Sequence, residues 1–176
     1  EFDFGLEQLK ARIAEAGFPY LSANLRDKNT GEIPRDLGIN PYTIVEVGNL
    51  EVGIIGLTTL STPSTTNPAN LERFQFMDYA AALREFVPEI RAAGADLVIL
   101  IAHVCSNELV SLAKDVQELN IPFMGGGHCH DPYSRKIGNT VVQAGGADLI
   151  GYAFTRLSIT NNNNVKIIDF GSKVNL

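Results

Sequence analysis

The chain has 176 residues, 45% hydrophobic and 19% charged, a balance that suits a globular domain able to bury its own core. Its net charge of −6 argues against binding a nucleic-acid polymer, which takes a basic face to neutralise phosphates. No apolar run approaches the roughly 20 residues of a membrane span, and two cysteines, Cys105 and Cys129, are too few for a disulfide framework.

In chain order, Leu6, Leu9, Ile13 and Ala16 repeat at helical spacing before Gly17, which predicts a first helix. Pro19 to Leu25 reads as a short strand. The Asp-, Asn-, Gly- and Pro-rich stretch from Arg26 to Asn40 reads as a surface loop. Tyr42 to Val47 and Glu51 to Thr58 read as a hairpin turning at Gly48-Asn49. Gly53 and Gly56, inside its second strand, point to close backbone approach. Thr59 to Arg73 is rich in Ser, Thr, Pro and Asn, and its length suggests a functional loop.

Asp78 is placed to cap a helix running to about Ala93, with Gly94 as its stop and Pro88 expected to kink or split it. Asp96 to Ala102 is apolar on both faces, as a buried central strand would be. Ser106 is placed to cap a helix striped by Leu109, Leu112, Ala113 and Val116. Ile121 to Met124 reads as another strand, followed by Gly125-Gly126-Gly127-His128-Cys129-His130. Thr140 to Ala144, Tyr152 to Thr160 and Val165 to Phe170 read as three more strands, with Asn161 to Asn164 as a turn. Strand and helix alternate in the middle and strands crowd the end. That predicts a one-domain α/β layered sandwich with a mixed sheet and no internal repeat.

The chain holds three histidines. His103 ends one apolar strand, and His128 and His130 follow another through a run of glycines that lets backbone approach a ligand. Ligands of α/β sheets bind outside the carboxyl ends of strands, and neutral imidazole suits zinc, iron, nickel or manganese. The pattern therefore points to a metal centre using His103, His128 and His130. If the segment stays extended, His128 and His130 point to one side and Cys129 to the other. Rival uses remain for the thiols: a closed zinc site drawing on Cys105 or Cys129, or a disulfide between the two.

Glu1-Phe2-Asp3-Phe4-Gly5, Ser22-Ala23-Asn24-Leu25, Val52-Gly53-Ile54-Ile55-Gly56-Leu57-Thr58-Thr59, Ile101-Ala102-His103, Gly126-Gly127-His128-Cys129-His130 and Val142-Gln143-Ala144-Gly145-Gly146 stand in a fixed order. In that order they resemble the motifs of the 5′-nucleotidases, members of the calcineurin-like metallophosphoesterases. The opening residues resemble the tail of that family's Gly-Asn-His-Glu-Phe-Asp motif. The resemblance implies an αββα sandwich with mixed sheets and two divalent metal ions, with zinc, manganese, iron and cobalt all tolerable.

It further implies a small phosphoester substrate, a nucleotide above all, and a secreted, periplasmic or cell-surface location. Carried over by position, His103 and His128 would bind one ion and His130 the other. Asp3 would be the catalytic-site carboxylate that orients the family's catalytic histidine. The family's Asp-x-His, bridging Asp, Asn ligand and catalytic His have no counterpart here, and no signal peptide or initiating Met heads the chain. The expectation is a partial phosphoesterase domain over 1–176, without the family's nucleotide-binding domain and with little activity alone. The alternative is a non-catalytic domain that keeps a residual metal- or ligand-binding face.

Overall fold

A computed structural model of the protein describes residues 2–160 and 164–174. The first half runs α1 (Leu6–Glu15), β1 (Tyr20–Leu21), β2 (Leu25–Asp27), β3 (Ile39–Asn40), β4 (Tyr42–Val47), β5 (Leu50–Thr58), α2 (Thr62–Thr65) and β6 (Phe74–Phe76). The second runs α3 (Tyr79–Ala92), β7 (Leu97–His103), α4 (Ser106–Asp115), β8 (Phe123–Gly126), β9 (Pro132–Ile137), β10 (Thr140–Gly145), β11 (Gly151–Ile159) and β12 (Val165–Val174).

The main sheet has the order β4-β5-β7-β8-β10-β9. Its four inner strands are parallel and its two edges antiparallel. The parallel pairs require crossovers, and α3 and α4 supply two of them. Asp78 caps α3 as expected, its carboxylate accepting from Ala81 N at 2.9 Å. Pro88 lies inside α3 without splitting it. Leu83, Val87 and Ile90 of α3 and Leu109, Leu112 and Ala113 of α4 form one core with Ile55, Val98, Leu100, Met124 and Val142 of the sheet. Each fully buried aliphatic side chain there contributes roughly 1.5–3 kcal/mol.

The hairpin β4–β5 turns where predicted, with Val47 opposite Leu50. Its glycines are needed for space. A Cβ on Gly53 would lie 2.2 Å from Ile90 Cγ2, and one on Gly56 would lie 2.4 Å from the Leu21 carbonyl oxygen.

The other face of the main sheet carries two separate ribbons, parallel β1–β3 and antiparallel β11–β12. α1 packs with the first of these through Leu9 and Ile39. The layers are therefore helices, sheet, ribbons and helix, the αββα arrangement with a mixed sheet. Gln143, buried in β10, fastens the second ribbon by donating to Phe154 O and Gly171 O, both at 2.9 Å.

Several expectations change. The strand read over 19–25 is two strands in different sheets, broken because Ser22 and Asn24 turn their side chains onto Thr58. The stretch read as a surface loop holds β2, a 3-10 turn at Arg35–Leu37, and β3. Arg26 and Asp27 are buried within it because each meets a charged partner, Glu85 at 2.8 Å and Arg73 at 2.6 Å. Short β6 and β9 were not anticipated. β7 is not covered on both faces along its length, since Ile101 is 46% exposed. Of the turn read at 161–164, residues 161–163 lie outside the described residues.

Candidate metal centre

Three parallel strands end at one place. Thr58, the last residue of β5, is in register with His103, the last of β7, and Ile101 pairs with Gly125 of β8. β8 stops at Gly126, where a Cβ would fall 2.6 Å from Leu109 Cδ1 and 2.9 Å from Val104 O. Gly127 N–H then donates to Val104 O at 3.1 Å, which fastens the start of the glycine–histidine loop to the end of β7.

That loop is not extended. His128 and His130 have φ of 66° and 59°, left-handed values that non-glycine residues seldom adopt. The extended chain that would point both rings to one side is therefore not the conformation found. His128 turns toward His103, its Nδ1 lying 3.0 Å from His103 Nε2, with ring centroids 4.8 Å apart. His128 Nε2 lies 3.4 Å from Ser61 Oγ in the loop after β5. His130 is exposed and hydrogen-bonds to neither histidine among the described residues. Among those residues, no three His, Cys, Asp or Glu side chains gather tightly enough to hold an ion.

The two thiols are joined to each other. Cys105 and Cys129 form a disulfide with Cα atoms 5.1 Å apart, which removes the cysteine-ligated zinc site as a reading. Cys105 also occupies the N-cap position expected for Ser106. The Ser106 hydroxyl instead donates to Asp131 Oδ2, while Asp131 Oδ1 is buried and takes no hydrogen bond among the described residues.

Asp3 accepts from Thr66 Oγ1 at 2.8 Å and is otherwise solvent-facing. Thr66 and Ser61 flank α2, a turn of four residues spanning about 6 Å at 1.5 Å per residue. One short helical turn thus holds Asp3 at one end and His128 at the other. Tyr79 steadies the same segment. It accepts from Leu60 N at 2.8 Å and donates to Glu108 Oε2 at 3.0 Å. Burial raises its pKa above the ordinary tyrosine value, so the phenol keeps its proton for Glu108. Sequence reasoning missed Ser61 and Tyr79. Ser61 had a usable signal, because it follows the end of a parallel strand by three residues, near a sheet end already marked by His103.

The donors present fit a metal in part. Two nitrogens on one ion, each bonded at about 2.0–2.1 Å, lie about 2.9–3.4 Å apart at bond angles of roughly 90–110°. The His103–His128 separation of 3.0 Å falls in that range. Ser61 is suited to accept the Nε2 proton of His128, which leaves Nδ1 with the free lone pair. Beside the pair opens a cavity of about 390 Å³, lined among others by Tyr20, Leu21, Thr58, Ile101, Ala102 and His103 itself.

No protein-family model matches the chain. It is 35% identical over 131 residues to the snake venom 5′-nucleotidase of Crotalus adamanteus, covering 73% of this chain and 21% of that protein. It spans about a fifth to a quarter of the curated relatives it matches. It superposes with a TM-score of 0.80 and 21% identity on a putative 5′-nucleotidase from Staphylococcus aureus, over 98% of this chain and 36% of that one. For the calcineurin-like phosphoesterase YfkN from Bacillus subtilis the values are 0.79 and 23%, over 98% and 60%. At those identities the two solved structures speak for the fold.

Proposed function

The chain belongs to the 5′-nucleotidase family of calcineurin-like phosphoesterases, and from that premise we propose that the protein is a metal-dependent phosphoric monoester hydrolase acting on a nucleotide or a related small phosphoester. One observation carries the reading: the 3.0 Å approach of His103 Nε2 and His128 Nδ1 where adjacent parallel strands end, the position at which α/β sheets take ligands. In this reading His103 and His128 hold one divalent ion, and His130, exposed on the same loop, serves a second. Imidazole suits zinc, manganese, iron or cobalt. A bound ion pair supplies Lewis acidity, activating water and offsetting charge on the phosphate.

The chain's own residues orient. Ser61 takes the outer proton of His128 and fixes the ring. Thr66 holds Asp3, whose carboxylate is then available to orient a catalytic imidazole. Three neutral imidazoles add no negative charge, so two cations side by side need carboxylates beyond these residues. The chain by itself is expected to hold at most one ion, weakly, and to hydrolyse little. The scarcity of clustered donors among the described residues favours a second reading, a non-catalytic domain with a residual metal-binding face.

A disulfide beside the site favours an oxidising location, secreted, periplasmic or at the cell surface. No helix among the described residues is long and apolar enough to cross a membrane. The test is an assay of the full-length protein against a nucleotide panel, with and without chelator, beside His128→Ala. Chelator is expected to abolish turnover, and the substitution to lower it by at least about 100-fold, beyond the range usual for outer-shell partners. Turnover that ignores the chelator rejects the metal reading. Chelator-sensitive binding without turnover selects the non-catalytic domain.

A further inference from the structure

We propose that the Cys105–Cys129 disulfide positions the His103–His128 pair, and that reduction by a dithiol releases it, so that the site is redox-sensitive; the metal consequence rests on the function proposed above. Cys105 lies two residues after His103 and Cys129 one after His128, so the bond ties the β7–α4 connection to the β8–β9 connection. It sits where the backbone needs holding. His128 and His130 flank Cys129, and both have positive φ. Non-glycine residues keep such values where surrounding structure over-determines them.

Ser61 Oγ meets the His128 ring at 3.4 Å, and the other ties act at the ends of the loop. Gly127 N–H reaches Val104 O at 3.1 Å before it, and Asp131 accepts from Ser106 after it. Between them, Cys129 N–H makes only a local bond to Gly127 O at 2.8 Å. The disulfide is the one covalent restraint on the segment that aims His128.

The bond is open to attack from one side. Cys129 is exposed, whereas Cys105 is 7% exposed. A thiolate of an external dithiol attacks Cys129 Sγ, forming a mixed disulfide. The S–S electron pair leaves on Cys105 Sγ, beside the first N–H groups of α4, and that sulfur takes a proton from solvent. The second thiolate of the reductant attacks its own sulfur in the mixed disulfide, releasing Cys129 as a thiol and the reductant as a cyclic disulfide. Two electrons and two protons pass from the dithiol to the protein. With the tie gone, His128 and His130 relax toward negative φ and His128 leaves His103.

The experiment separates the tether from the metal. Histidine-labelled chain is examined by NMR without metal, oxidised and then reduced with dithiothreitol. The ring contact between His103 and His128 is expected in the oxidised form and lost in the reduced one. Cobalt titration follows on oxidised chain, on reduced chain freed of dithiol under argon, and on the Cys105→Ser/Cys129→Ser variant. Affinity is expected to fall about 10- to 100-fold in both altered forms. If that variant does not fold, the reduced wild-type chain carries the comparison alone.

Rings that keep their contact after reduction overturn the proposal. So does cobalt affinity that is unchanged, or that rises in the reduced chain because free thiolates join the site. An oxidised chain that binds no cobalt, yet loses the ring contact on reduction, upholds the tether and instead rejects the metal ligands.

Discussion

Asn24 shows how much one buried amide can fix. It is fully buried, its Oδ1 accepts from Thr58 N and its Nδ2 donates to Thr58 O, both at 2.8 Å. Thr58 stands opposite His103, so this amide sets the strand end on which the candidate site is built. Asn24→Ala leaves a buried N–H and a buried C=O without partners. At about 1–3 kcal/mol for each orphaned group, a loss of about 2–6 kcal/mol is expected, read as a lower urea midpoint with unchanged slope. The sequence does not reveal this role of Asn24, because its partner is 34 positions away and local composition carries no trace of it. His103 and His128 were legible because an apolar run followed by an imidazole marks a strand end. The exposure of His130 was not legible, since the left-handed backbone at His128 and at His130 itself is not specified by the glycine run.

Among elements, the legible ones had both a period and a stop. The hairpin β4–β5, the capped α3 and the glycines at 53 and 56 announced themselves that way. β2, β3 and β6 are two or three residues long, too short for any period, and β2 is held by charges from distant segments. Arg73, just before β6, meets Asp27 of β2 at 2.6 Å and Asp36 at 2.7 Å. Its hydrogen bonds hold both carboxyls below the ordinary value of 3.8. A carboxylate whose folded pKa is depressed binds fewer protons folded than unfolded. Its contribution is therefore complete above the unfolded pKa and is lost as pH falls through the folded one. Urea melts of wild type and Arg73→Gln are expected to differ most near pH 6 and to converge as pH drops below 3.8 and on through the lowered folded values. A gap that stays constant over that interval means that Arg73 stabilises by packing on Phe74, where its guanidinium lies 5.6 Å from the ring centroid, and not by charge.

At the scale of the molecule, the main sheet is asymmetric: α3 and α4 cover one face continuously, while two separate ribbons share the other. The strand-rich end of the sequence foretold strands, but alternation says which residues face inward, not which sheet a strand joins. What seats β11–β12 is largely Gln143. Its amide nitrogen shares its hydrogens among Phe154 O on β11, Gly171 O on β12 and Ser134 Oγ on β9, and its Oε1 accepts from Thr155 Oγ1 at 2.6 Å. Gln143→Leu keeps nearly the same volume but removes these bonds from a part-buried setting, so docking of the ribbon should weaken while the helix-covered core persists. Amides of β11 and β12 are expected to exchange faster with deuterium in the variant, with those of β7 unchanged, since local opening draws only on the contacts it breaks. Equal acceleration in β7 would mean that ribbon and sheet open as one cooperative unit. The site at the ends of β7 and β8 would then be coupled to the far ribbon rather than resting on the helix-backed half alone.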